Sequence, residues 1–447
     1  MPRQRLPLST LDARSSTPSD LLPSFVIRIS SFGFWISSFV ISHSSFCAAL
    51  GAVSILDTGA IPDATTVNTP AIQSAIDRLA SSGGGTVVIP PGIFVSGALD
   101  LRPGIHLHLE KGAVLRAVSS DVATHFPARP TRIEGQRLDF TPALINADSC
   151  DGLRITGEGT LDGDGRPVWD EFWRLRRAAP DPKNFPNLSV PRARLALISR
   201  SRDVLIEGVA FQNSQFWNLH LYLCREVTVR GARFLVPDDY KQAPSTDGID
   251  IDSSQDVLIE GCTFSVTDDA IALKGTKGPR ALEDTASPPV ERVRIRDCRF
   301  RRAHGVLTCG SEATIVRDVV LENSRVTGPM TVLTLKLRSD TPQTYENIHL
   351  RDLTLEADGG ALLAVRPWTQ FIDLKGLPPP ASIVRDITLQ NITGRFGSFG
   401  TIAGNRDQTT FGDITLENIT ATFTTPQLKA PALPTLHILN VPALSAP

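Results

Sequence analysis

The 447-residue chain is poor in cysteine and methionine, carries no excess of positive charge and has no long unbroken apolar run. Six cysteines in this length are too sparse for a disulfide scaffold. Lys plus Arg total 45 against 47 Asp plus Glu, a formal charge of −2, which excludes nucleic-acid binding through a bulk positive field. With no run of ~18 apolar residues, no membrane-spanning helix is expected. What the chain does have is 33 Gly, 33 Pro and 41% hydrophobic residues, the composition of a globular core with many turns and little long helix.

Residues 24–46 repeat a seven-residue phrase, SFVIRIS, SFGFWIS, SFVISHS. Residues 1–50 read as a leader: Arg28, an apolar stretch around Ile29 to Ile41, then Ala48 and Ala49 near a cleavage point. Export, to the periplasm or outside the cell, is the expectation; the alternative is upstream sequence read from a wrongly chosen start. The folded domain is then 51–447, with a Pro-rich tail from about 426 holding at most one short strand near His437–Val441.

Residues 68–85 predict one helix over 70–82. Thr69 is the expected N-cap and Pro70 the first helical residue, Ala71, Ile72, Ala75, Ile76 and Leu79 form one apolar stripe, and Gly83–Gly85 stop it. The pattern then changes to period two. VLIEGV at Val204, VTVRGA at Val227, VLIEGC at Val257, VRIRDC at Val293, VVLENS at Val319, IHLRDL at Ile348, ITLQNI at Ile387 and ITLENI at Ile414 are variants of one phrase. Each places two apolar residues inward, polar ones outward, and Gly, Asp or Asn where the chain turns. The starts recur every 23 to 39 residues. Such a unit cannot bury its own apolar face, but stacked turns can, which predicts a parallel β-helix solenoid. Propeller blades need ~40–45 residues and a leucine-rich horseshoe its own Leu/Asn register. The helix would cap the open N-terminal end of the coil.

Against this pattern STDGIDID (245–252), TDDAIALK (267–274) and AHGVLTCG (303–310) carry polar intruders. If Ile249, Ile271 and Val306 are equivalent inward positions, then Asp247, Asp269 and His304 fall at one position on successive rungs, ~4.8 Å apart, with Asp268 one residue earlier. Neighbours on a straight strand point to opposite faces, so Asp268 and Asp269 require a bend or bulge. The bland alternative is a ladder of turn-forming Asp. Close carboxylates raise one member's pKa and keep it protonated. They therefore suit glycosidic hydrolysis with inversion, where acid and base normally stand ~6.5–9.5 Å apart. A calcium site, as in an eliminating lyase, would use the same oxygens but also needs an Arg or Lys base, and no Arg lies within the two Asp motifs. A non-catalytic glycan-binding solenoid is the third reading.

The ordered set NTPAIQSAID (68–77), GEGTLDGDG (157–165), NSQFW (213–217), STDGID (245–250), TDDAIALK (267–274) and AHGVLTCGSE (303–312) resembles family 28 of the glycoside hydrolases, the polygalacturonases and their relatives, over roughly residues 51–425. The resemblance implies an all-β, single-stranded right-handed parallel β-helix that hydrolyses pectic polysaccharide with inversion and without metal or organic cofactor. It implies Asp268 as general acid, Asp247 and Asp269 holding and activating the water, and His304 supporting the acid and touching substrate. Three positions depart from the family pattern: Ser245 stands for Asn, Gln215 for Pro, and Thr334 for the Arg of a carboxylate-gripping Arg-x-Lys whose Lys is Lys336. Positions 334, 336 and 338 share a strand face, so Arg338 is the candidate replacement; a guanidinium grips a uronate bidentately where an ammonium does not. Unsubstituted, xylosylated and rhamnose-containing pectins all stay open.

Lys274 and Arg366 are further candidate substrate contacts, the latter beside Trp368, which could stack on a sugar ring. Trp217 reads as core. Residues 275–291, directly after the Asp-pair strand, read as a cleft-walling loop. Cys262 and Cys298 share one offset on adjacent rungs, as stacked thiols or a bridge. A monomer is expected, with no nucleic-acid partner.

Overall fold

The computed structural model describes residues 51–431, 433 and 435–445. The leader read over residues 1–50, and the export that it implies, lie outside the described residues.

The repeat builds the fold directly. Val204 pairs with Val227, then in turn Val257, Val293, Val319, Ile348, Ile387 and Ile414, so every start of the phrase stacks on the next in parallel register. Immediately before these phrase starts Asp203, Glu226, Asp256, Arg292, Asp318, Asn347 and Asp386 hold φ of 53 to 58°. This left-handed corner turns each coil, and short polar residues tolerate it best. Inside the coil Phe211, Phe234, Phe264 and Phe300 stack with ring centroids 5.0, 5.0 and 5.1 Å apart, the spacing of the strands that carry them. The result is a right-handed parallel β-helix.

Helix α1, Thr69–Ser81, lies across its N-terminal end and buries Ile72, Ala75, Ile76 and Leu79. Each large aliphatic so buried stabilises by about 1.5–3 kcal/mol. The helix starts one residue earlier than the sequence suggests: Asn68 holds the cap position, while the Thr69 hydroxyl accepts from the Gly97 amide at 2.7 Å. At the other end Leu436–Leu439 pairs with Ile414–Glu417 and extends the sheet. Cys262 and Cys298 are buried free thiols, each aimed at main-chain carbonyls. Among the described residues no helix is long and apolar enough to cross a membrane.

Two insertions leave the coil. One is an antiparallel hairpin of β1 (Arg129–Ile133) and β2 (Gln136–Phe140). The other contains helix α2 (Arg166–Ala178), with Val168, Trp169 and Phe172 buried. They flank one sheet of the coil, whose successive strands are β3 (Ala196–Ser199), β4 (Leu219–Tyr222), β5 (Ile249–Asp252), β6 (Ile271–Lys274), β7 (Gly305–Cys309), β8 (Thr331–Arg338) and β9 (Ala361–Trp368).

Candidate active site

The turns that enter β5, β6 and β7 carry the polar intruders. Ile249 pairs with Ile271, so Asp247 and Asp269 do fall at one position on adjacent coils. The next step corrects the expected register: Ile271 pairs with Leu307, not Val306. One rung earlier on the same coil Phe264 pairs with Phe300 but Ser265 with Arg302. The extra residue, Arg301, moves the chain on by one. His304 therefore stacks on Asp268, its amide donating to the Asp268 carbonyl at 3.0 Å and its Nδ1 lying 3.3 Å from Asp268 Oδ1.

Residues 267, 268 and 270 form bends, which resolves the parity problem. Asp269 sinks to the floor beside Asp247, both buried, while Asp268 stays part-exposed above them. One carboxylate oxygen from each of the three lies within 4.8 Å of the others. That is tighter than the ~6.5–9.5 Å usual for an inverting acid and base, so the expected separation is not met, and three charges this close must share protons. Burial, then the Asp268 charge, pushes Asp247 up to about 8. Burial would also raise Asp268, but the hydrogen bond and charge of His304 outweigh it and hold this carboxyl at about 2, while Asp268 drives His304 up to about 9. Near neutrality the upper pair is a carboxylate–imidazolium ion pair, and Asp247 carries the proton on the floor.

Two lysines fix the cluster from beneath. Lys336 donates to Asp269 Oδ2 at 2.7 Å. Lys274 lies 3.7 Å from Asp247, 3.6 Å from Asp250 and 3.7 Å from Glu312, with the Trp217 ring 4.9 Å away. Burial disfavours its ammonium, but those three acidic neighbours hold its pKa well above the ordinary lysine value. Asp250, which sequence reasoning did not single out, is fully buried on β5 with neither oxygen hydrogen-bonded, and burial pushes its carboxyl far up. Its signal was a second Asp in GIDID pointing outward toward Lys274. Gly305 keeps the space open: a Cβ there would stand 2.4 Å from Thr308 Oγ1 and 2.9 Å from Asp269 Oδ1.

The surrounding cleft holds about 820 Å³ and is lined by Trp217, Lys274, Lys336 and Arg366 as well as the acids and His304. Lys336 and Arg366 both approach the Trp368 ring, at 4.8 and 5.8 Å. Arg338 is a correction. It does not reach the cleft but is 1% exposed, forked onto Asp340 by two 2.8 Å bonds and donating to the carbonyls of Gln370 and Phe371. Thr334, where a gripping Arg was expected, is buried too, so no guanidinium from β8 enters the cleft. Residues 275–291 do not line it either; Thr276, Asp284 and Ser287 turn instead toward the buried Arg132. The walls come from Phe172, Trp173 and Phe185 of the α2 insertion and Glu134 of the hairpin.

The family model described as glycosyl hydrolases family 28 matches residues 113–432. The chain belongs to that family. A probable polygalacturonase of Vitis vinifera is 29% identical over 243 residues, 52% of this chain and 46% of that protein, so this chain matches about half that relative's length. An exopolygalacturonase of Zea mays is 24% identical over 360 residues, 77% of each chain. The crystal structure of a hyperthermoactive exopolygalacturonase from Thermotoga maritima superposes with a TM-score of 0.67 at 24% identity, covering 88% of this chain and 92% of that one; this likeness bears on the fold. In this family 28 chain the acids sit with two ammonium groups at their base. Lys336 and Lys274 already engage oxygens of Asp269 and Asp247 that a divalent cation would need.

Proposed function

We propose that this chain hydrolyses glycosidic bonds in pectic polysaccharide, and that Asp247, Asp268, Asp269 and His304 carry the chemistry. The observation that supports it is the vertical order of the cluster: an exposed His304, a part-exposed Asp268, and the buried Asp247–Asp269 pair. A sugar chain in the cleft meets Asp268 first. The proton that the upper pair holds sits on His304, 3.3 Å from Asp268; it moves to Asp268 as Asp268 delivers it to the departing glycosidic oxygen, leaving His304 neutral. The carbon–oxygen bond breaks as water, held between Asp247 and Asp269, forms the new bond and gives up its proton to that pair. Lys336 fixes Asp269 in position through its 2.7 Å bond. The product carries the configuration opposite to the bond cleaved, because water attacks from the face away from the leaving group.

Lys274, Lys336 and Arg366 supply the positive side of the cleft, which suits an anionic uronate chain. Lys274 and Lys336 are already engaged by acidic side chains, so Arg366 and Lys183, both exposed in the cleft lining, are the cations that can meet a substrate carboxylate. The folded domain from residue 51 acts as a monomer outside the cytoplasm, the first fifty residues serving export. The test is reducing-end release from homogalacturonan, xylogalacturonan and rhamnogalacturonan, comparing wild type with Asp268→Asn. General-acid loss costs about 10²–10⁴ in rate. A variant keeping more than a tenth of the wild-type rate would remove Asp268 from that role.

A further inference from the structure

The sheet beneath the acids is covered on one side and open on the other. Side chains that point outward from the coil at the end of each strand form one column: Tyr222 on β4, Asp252 on β5, Lys274 on β6, Lys336 on β8 and Arg366 on β9. Tyr222, Asp252 and Lys274 are 4%, 1% and 6% exposed, whereas Lys336 is half-buried and Arg366 exposed. Outward-facing residues of a solenoid are solvated unless something lies over them.

The cover upstream of the acids is the β1–β2 hairpin. Arg132 bonds to Asp252 at 3.0 Å, Arg137 to the Tyr222 hydroxyl at 3.0 Å, and the main-chain carbonyl of Arg132 accepts from Arg194 at 2.9 Å. Ile133 and Phe140 pack with Phe216 and Trp217 into a small core separate from that of the coil, with Leu138 and Leu188 against it. The hairpin tip then reaches both walls. Glu134 accepts from Asn187 Nδ2 of the α2 insertion at 2.5 Å, and Gly135 lies so close to Glu312 and Gly275 that a Cβ would stand 2.9 and 3.0 Å from their atoms. Gly135 has φ of 70°, so the tight approach relies on glycine twice over. Trp217 of that small core occupies the position equivalent to Asp247 one coil upstream. The dam therefore begins a single rung, ~4.8 Å, from the acids, less than a polymer needs to pass through.

From this geometry we infer that the cleft is blind on its upstream side and admits a chain end, so that cleavage is exo-acting and releases a short product of fixed size. This deepens the hydrolase reading and rests on it. The end wall is formed by Glu134, Asn187 and Glu312, polar groups that meet the hydroxyls of a terminal sugar while its carboxylate turns toward the cationic side.

Two measurements on the full chain separate this inference from the reading beneath it. In the first, wild type digests a reducing-end-labelled galacturonide decamer and high-molecular-weight homogalacturonan. The expected result is a ladder shortening from one end by a constant step from the first minutes, with viscosity falling slowly relative to reducing ends released. Internal fragments of all sizes at early times, with a steep viscosity drop, would overturn the blind end while leaving hydrolysis intact. In the second, the Asp268→Asn variant is titrated with galacturonides of ten and fifty residues. One protein per chain at both lengths supports end binding; stoichiometry rising with length refutes it, whether or not wild type turns over. Glu134→Ala/Asn187→Ala cuts the tie across the cleft and should raise the share of internal cleavage several-fold. Shortening the hairpin tests the same point more severely, and the wild-type product pattern decides if that variant does not fold.

Discussion

Replacing Lys336 by Met asks whether this lysine acts on the substrate or on Asp269. Its ammonium lies 2.7 Å from Asp269 Oδ2, with side chains 12% and 3% exposed, so the pair is only weakly screened. At an effective dielectric of ~20 the gross attraction is about 6 kcal/mol. Most of it is offset in the variant, because the crowded acid cluster can discharge by taking up a proton. What remains visible is the equivalent of an opposite charge removed from a carboxylate, about 1–3 pH units. The direction follows from which form the ammonium favours. The Lys336 charge works against burial to draw the Asp247 carboxyl down, so its loss favours the protonated form of Asp247, and water activation needs a higher pH. The low-pH limb of kcat, measured at saturating pectic substrate, should move upward by about 1–3 units. Well below the limb the rate should fall roughly 10- to 1,000-fold while the plateau above it partly recovers. Lys336→Arg should hold the limb near its wild-type position. If Lys336→Met leaves the limb unmoved and raises only KM, the lysine is a substrate contact and the ion-pair account of the floor is wrong.

His304 is held at about 9 by Asp268, above its ordinary value of about 6.5. The pair's contribution is thus complete below that ordinary value and fades as pH rises through about 9. His304→Ala should bring the alkaline limb of kcat/KM down in pH; an unchanged limb would separate the imidazole from the acid. Arg338→Met breaks a buried ion pair and should cost up to about 3–5 kcal/mol of stability by denaturant titration, with KM unchanged in the folded fraction. A raised KM at full stability would return Arg338 to the substrate. Because Lys274 and Lys336 already engage oxygens that a cation would need, dialysis against EDTA should leave activity within twofold of the untreated enzyme; its abolition, with ultraviolet-absorbing unsaturated products before treatment, would mark a calcium lyase instead.

The coil was legible because its rule is local and repeated. Two apolar residues, a turn residue and a β-branched start recur from Val204 to Ile414, and each start pairs with the next. The acids were legible for the same reason, since Asp247 and Asp269 each stand two residues ahead of paired isoleucines on adjacent coils. His304 was found but placed one residue off, because the bulge at Arg301 has no sequence signature in RFRRAHG. The hairpin and helix α2 were missed because their stability comes from distant partners. Arg132 meets Asp252 across 120 residues and Glu134 meets Asn187 across 53, and no local periodicity reports such pairings. Arg338 was misread on strand parity alone. Its carboxylate partner, Asp340, stood two residues away, and a terminal strand residue can fold back onto its own turn.

The account stands on water, not a side chain, forming the new bond to the sugar. Proton NMR of the first product formed from a defined oligogalacturonide, recorded before mutarotation, reads this directly. The account predicts an anomeric configuration opposite to that of the bond cut; a first product that keeps the original configuration would mean a covalent glycosyl-enzyme at one of the floor aspartates and would contradict it.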